Sequence, residues 1–160
     1  MATKRYLKFS IPNHWRHNPE VRRSVATLLE GLPSDFVHSA TMAASELTEN
    51  AIKYGTSTSE TAEILVAIQI QEGRLSIRVT NGCDNPEALQ RLSAHVDAVN
   101  RTDPYDMMVA RIHDLKTRQR KTVGLGIYRI AAEGGFNLRL ESEGNNTVTV
   151  VAERSLSNDT

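Results

Sequence analysis

Two stretches that read as strands, the β-branched Glu63–Gln71 and the alternating Arg74–Thr80, are separated only by Glu72-Gly73. Alternation at period two gives each strand one buried face, and so short a glycine-bearing link makes the strands antiparallel neighbours. A chain built around that hairpin must cover one face of a sheet, and the other patterns fall in with this. Arg5 to Ile11 alternates through Tyr6, Leu7, Phe9 and Ile11, which predicts an opening strand. Phe136–Ser142 and Thr147–Arg154 predict a second hairpin around Glu143-Gly144-Asn145-Asn146.

The helices announce themselves by their ends. Asn18-Pro19-Glu20 combines a capping side chain with proline at the first helical position, and predicts a helix running to Glu30 with Gly31 as its stop. Ser34 caps a longer helix whose apolar residues Val37, Ala40, Ala44, Leu47, Ala51 and Tyr54 recur at helical spacing until Gly55. Residues 83–123 are polar, carry no strand pattern, and read as helical over Pro86–Val99 and Pro104–Lys116. A shorter helix is expected after Gly126, ending at Gly134-Gly135. The fold class that follows is α+β: a sandwich with helices packed on one face of a mixed, largely antiparallel sheet. The expected organisation is a single domain over 1–160, with 155–160 as a polar, frayed tail.

Composition removes several function classes. Lys+Arg 19 against Asp+Glu 19 leaves no net field, so neither nucleic acid nor a membrane surface is an expected partner. Cys83 is the single cysteine, which excludes an internal disulfide, and no CxxC pattern suggests structural zinc. The start lacks the apolar core of a signal peptide and no run reaches membrane-spanning length, so a cytoplasmic setting is expected.

Chemistry concentrates in Ser45-Glu46-Leu47-Thr48-Glu49-Asn50-Ala51-Ile52-Lys53, read together with Gly124-Leu125-Gly126-Ile127. Glu46 and Asn50 lie four apart on a helix and share a face. A carboxylate so placed can polarise a hydroxyl or water, and a carboxamide oxygen suits a hard cation such as Mg²⁺. The glycine-flanked turn opens another helix, where free backbone N–H groups and the helix dipole favour phosphate. Each half has a plain reading too: Glu46 and Asn50 as a solvated flank, and Lys53 as the i+4 partner of Glu49. Together they suggest a Mg-nucleotide site.

In this order and spacing the motifs resemble the histidine-kinase-like (Bergerat, or GHKL) ATPase superfamily over residues 5–154, and its small anti-sigma-factor and serine-kinase regulators most. The resemblance implies a Bergerat-type sandwich that binds Mg²⁺ and ATP. Glu46 would be the catalytic base or water-positioner and Asn50 the Mg²⁺ ligand. Lys53, Gly124, Leu125 and Gly126 would contact the nucleotide, and Thr147, after Gly144, would lie near the adenine pocket. Residues 83–123 stand where the family has a mobile lid. The middle box departs: where the family has Asp-x-Gly-x-Gly, this chain has Asn81-Gly82-Cys83-Asp84-Asn85. Asn81 can still accept from adenine through its amide oxygen, without the full charge, and Cys83 puts a side chain where the base should pass. Asn81→Asp is accordingly expected to tighten ATP binding.

Three readings stay open on this basis. One is a protein serine/threonine kinase acting on a small anti-anti-sigma-like (STAS) protein. Another is a module that sequesters a sigma factor or similar regulator with nucleotide as ligand. The third is a degenerate ATPase-fold scaffold that binds a partner without nucleotide. A homodimer is implied by family analogy alone.

Overall fold

The computed structural model describes residues 4–12, 19–54, 63–83, 85–101, 103, 105–106, 109–110, 112–113, 125–143 and 147–156. Five strands form one sheet: β1 (Arg5–Pro12), β2 (Glu63–Gln71), β3 (Arg74–Gly82), β4 (Asn137–Glu143) and β5 (Thr147–Ser155), in spatial order β1-β2-β3-β5-β4. All four pairings are antiparallel, so the described strands include none of the parallel pairing that a mixed sheet allows. The helical excursion after β3 delivers β4 to the sheet edge, and the hairpin back brings β5 in antiparallel to β3. In the β2–β3 turn Glu72 and Gly73 have φ of 54° and 75°. Positive φ at both central residues matches the right-handed strand twist, which explains why a two-residue link suffices.

Alternation sends Ile64, Val66, Ile68 and Ile70 of β2 and Leu75, Ile77 and Val79 of β3 into one buried layer. Helix α2 (Ser34–Tyr54) covers it. Its inward residues Ala40, Ala43, Ala44, Leu47 and Ala51 are all buried, and the run of small side chains lets the helix lie close to the sheet. Helix α1 (Pro19–Leu28) packs against α2 through Val21 and Val25. It ends at Leu28, two residues before the expected Glu30, because the chain tightens into a turn with Glu30 N–H bonded to Thr27 O at 3.3 Å. Arg5 of β1 satisfies that end, donating to Leu28 O at 2.7 Å and Glu30 O at 2.9 Å.

Helix α3 (Pro86–Arg101) buries Ala88, Leu92, Val96 and Val99, and Asn100 Nδ2 donates to Leu138 O of β4 at 3.0 Å. The first part of the segment expected to be a lid is therefore built into the core. Most of 102–124 lies outside the described residues. Helix α4 (Leu125–Ala132) begins two residues earlier than expected, taking Gly126 into its first turn. The expected tail also shortens: Ser155 ends β5, and Leu156 N–H bonds Gly73 O at 2.9 Å. Arg154 locks this end. Its guanidinium donates to Gly134 O at 2.8 Å and sits 5.0 Å and 5.7 Å from the ring centroids of Phe36 and Phe136.

The sheet face away from the helices carries a charge ladder. Arg78 and Arg139 both pair with Glu141, and Arg139 and Arg74 with Glu153. Val151, in register between Arg78 and Arg139, is fully buried beneath it. The hydrogen bond from Arg78, aided by Arg139 and opposed by desolvation, holds the Glu141 carboxyl below its usual value. A depressed folded-state pKa adds stability that is present above the unfolded-state value and lost as pH falls through the folded one. Glu141→Gln should thus destabilise by about 0.5–1 kcal/mol at neutral pH, the scale of partly exposed networks. The difference should shrink as pH falls below the ordinary glutamate range. Denaturant titrations of both proteins at neutral pH and below that range check this, and a pH-independent difference would assign the effect to packing over Val151 instead.

Candidate functional site

Helix α2 brings Glu46 and Asn50 to one side, as the four-residue spacing requires, and α4 closes on them. A Cβ built on Gly126 would come within 2.4 Å of Glu46 Oε2 and 3.6 Å of Asn50 Nδ2. A side chain at 126 would push the end of Glu46 aside, so glycine keeps open the place where the carboxylate and carboxamide meet. Gly126 therefore joins Glu46 and Asn50, as the motif reading expected, through helix packing. Gly124 lies outside the described residues, and of Leu125 and Lys53 only the helical backbone is described.

Asn50 is buried, and its Nδ2 has no hydrogen-bond partner. An unsatisfied buried amide costs about 1–3 kcal/mol and calls for an explanation. A half-turn of the carboxamide would present Oδ1 at the same place, the donor that Mg²⁺ prefers. Among the described residues no group of three or more His, Cys, Asp or Glu side chains could hold a metal. Any Mg²⁺ here would take few protein ligands, which is its habit beside phosphates. Asn50 thus has the chemistry of a Mg²⁺ ligand, and Gly124, expected at the phosphates, lies outside the described residues.

The base half is tighter. Leu47, Asn50, Ala51, Val79, Asn81, Cys83, Leu92, Val148 and Val150 enclose a cavity of about 10 Å³. That is room for roughly one water. No purine enters unless Leu92 and α3 withdraw.

The divergent middle box has structural occupations. Asn81, buried on β3, donates through Nδ2 to Ala51 O of α2 at 3.2 Å and to Gly82 O at 3.1 Å, tying strand to helix. An aspartate there cannot make either bond, so Asn81→Asp would set a carboxylate against the Ala51 carbonyl, a cost the sequence reading did not foresee. Asn85, assigned by position to a glycine of the box, caps α3: its Oδ1 accepts from Glu87 N–H at 3.0 Å and Ala88 N–H at 3.4 Å. The Asn-Pro-Glu signal was present, as it is at Asn18. Cys83 is buried, with Sγ 3.7 Å from Asn85 O. Thr147 opens β5 opposite Gly82, one register step from Asn81. Its parity is that of Thr149, whose hydroxyl meets Thr80 on the sheet face away from α2, so Thr147 does not line the cavity with Asn81; Gly144 is outside the described residues.

The residue that sequence reading missed is Arg129. Its Nη1 donates to Glu46 Oε1 at 2.8 Å, a pairing across 83 positions of chain. Three residues after Gly126, it had to share that glycine's helix face, the only sequence signal for it. Arg22 of α1 also reaches the neighbourhood, with Nε 3.3 Å from Ser45 Oγ.

Residues 11–152 match a family model described as the histidine kinase-like ATPase domain. Among solved structures, a chain of the SiaB–SiaC complex from Pseudomonas aeruginosa has a similar fold. Its TM-score is 0.65 at 19% identity, over 92% of this chain and 88% of that one. No curated protein matches the sequence. Among the described residues no helix is long and apolar enough to cross a membrane.

Proposed function

Because this chain belongs to the histidine kinase-like ATPase family, we propose that it is a regulatory switch that engages a protein partner and takes Mg-ATP as its controlling ligand. The observation carrying the ligand half is the buried, unpartnered carboxamide nitrogen of Asn50, aimed at the place where Gly126 meets Glu46. Such a costly group calls for an explanation, and an ion held with its ligand is one that also accounts for the motif around it. Asn50 would hold the metal, the backbone at the start of α4 the phosphates, and Asn81 Oδ1 the base. The partner half is supported by the fold: the similar chain comes from a complex of two proteins. An anti-anti-sigma (STAS)-like protein or a sigma factor is the partner class that the motif order implies, with Glu46 available to accept a hydroxyl proton if the partner is phosphorylated.

A second reading, a partner-binding scaffold without nucleotide, draws on the one-water cavity and on the engagement of Glu46 by Arg129. Calorimetry separates the two. Weak, Mg²⁺-dependent ATP binding is expected, and at ten times Kd ligand should stabilise the fold by about 1.4 kcal/mol. For a chain of this size that is about 3–6 °C in melting temperature. No heat and no shift at millimolar Mg-ATP would leave the scaffold.

A further inference from the structure

Glu46 and any phosphate bound beside Asn50 would be two anions in one cleft, because Gly126 stands against both side chains. Something must offset that repulsion, and the structure assigns the task to Arg129: we propose that Arg129 is the positioning residue that neutralises Glu46 so that an anionic ligand can bind next to it. The proposal deepens the Mg-nucleotide reading above and rests on it.

Arg129 is suited to this by how it is held. Its guanidinium is divided between two carboxylates. Nη1 reaches across to Glu46 at 2.8 Å, while Nη2 and Nε lie 3.3 Å and 3.4 Å from Glu133 Oε2, one turn along the same helix. Glu133 thereby fixes the plane of the fork and turns Nη1 towards Glu46. The Glu46 side chain is only 19% exposed whereas that of Glu133 is 47% exposed. The inward contact is consequently the less screened of the two. Gly126 stands beside the other Glu46 oxygen, where an added Cβ would fall 2.4 Å from Oε2. A carboxylate in that position, without its cation, repels phosphate at short range in a poorly solvated cleft.

A charge-pair cycle on Mg-ATP affinity tests the assignment, using the full chain and calorimetry with melting temperature as a folding control. Arg129→Gln should weaken Mg-ATP by about tenfold, and Arg129→Lys should recover most of it. The decisive protein is Arg129→Gln combined with Glu46→Gln, in which affinity should return to within about threefold of wild type, since the carboxylate beside the bound phosphate is gone and Glu133 lies further out. A purely structural strut would not be rescued in this way. If the double variant stays as weak as Arg129→Gln, the guanidinium contacts phosphate directly and the proposal is overturned, with the nucleotide reading intact. If Arg129→Gln binds like wild type, the proposal is likewise overturned. If wild type itself does not bind Mg-ATP, the nucleotide reading fails and takes the proposal with it. Arg129→Met removes the same charge with the stem kept, should the glutamine variant not fold.

Discussion

Asn50→Ala is expected to abolish magnesium-dependent ATP binding while leaving the fold as stable as wild type, or about 1 kcal/mol more stable. Truncating a residue this deeply buried ordinarily costs stability, because contacts are lost and a hole is left. Here the removed group carries an uncompensated penalty: Nδ2 is buried without a partner, so its loss returns about 1–3 kcal/mol of desolvation. The two effects nearly cancel, and the sign leans to stabilisation because the space beside Asn50 already holds no more than a water. Binding has no such offset, since the carboxamide that faces Gly126 at the start of α4 is gone. Denaturant melts and Mg-ATP titrations on one preparation measure both quantities. A variant that loses about 2 kcal/mol or more would show that Asn50 is an ordinary core residue, and the site would lose its main support.

The parts of this protein that were legible in its sequence are those set by local rules. Helix α2 runs from Ser34 to Tyr54, as its cap and its apolar spacing dictate. The β2–β3 hairpin follows from period-two alternation and Glu72-Gly73, and β3 overruns its expected end by two residues because Asn81 and Gly82 continue to pair with Val148 and Thr147. What was not legible depends on elements meeting across the fold. Arg129 and Glu46 are 83 positions apart, and nothing local relates them. Val151 looks outward by its strand parity, yet it is buried because two arginines from neighbouring strands lie beside it. Asn85 was misplaced for a different reason: a motif template claimed it as a substituted glycine, although the Asn-Pro-Glu sequence gave its capping role directly. The glycine motif was found for phosphate, but Gly126 also leaves room for the Glu46 carboxylate where α4 meets α2. Only the assembled helices show that second requirement.

Leu92→Ala should produce effects of opposite sign on the protein and on its complex. Leu92 is buried on α3 and forms one wall of the cavity that Asn50, Asn81 and Cys83 share. Removing its branched end costs about 2–4 kcal/mol in the free protein, since α3 is held at Asn100 and by Val96 and Val99 and can collapse only partly into the gap. The same removal enlarges the one compartment that now excludes a purine, so ligand has less side-chain withdrawal to drive and can occupy the vacated volume. Mg-ATP should therefore raise the melting temperature of Leu92→Ala by more than it raises that of wild type, and bind it more tightly. An alanine at Leu47, which lines the same cavity from α2, serves as the control for widening without relieving α3. Equal ligand shifts in Leu92→Ala and wild type would mean that the base does not lie between α2 and α3. An unshifted Leu92→Ala would remove the nucleotide from the site and leave partner binding as the function of this fold.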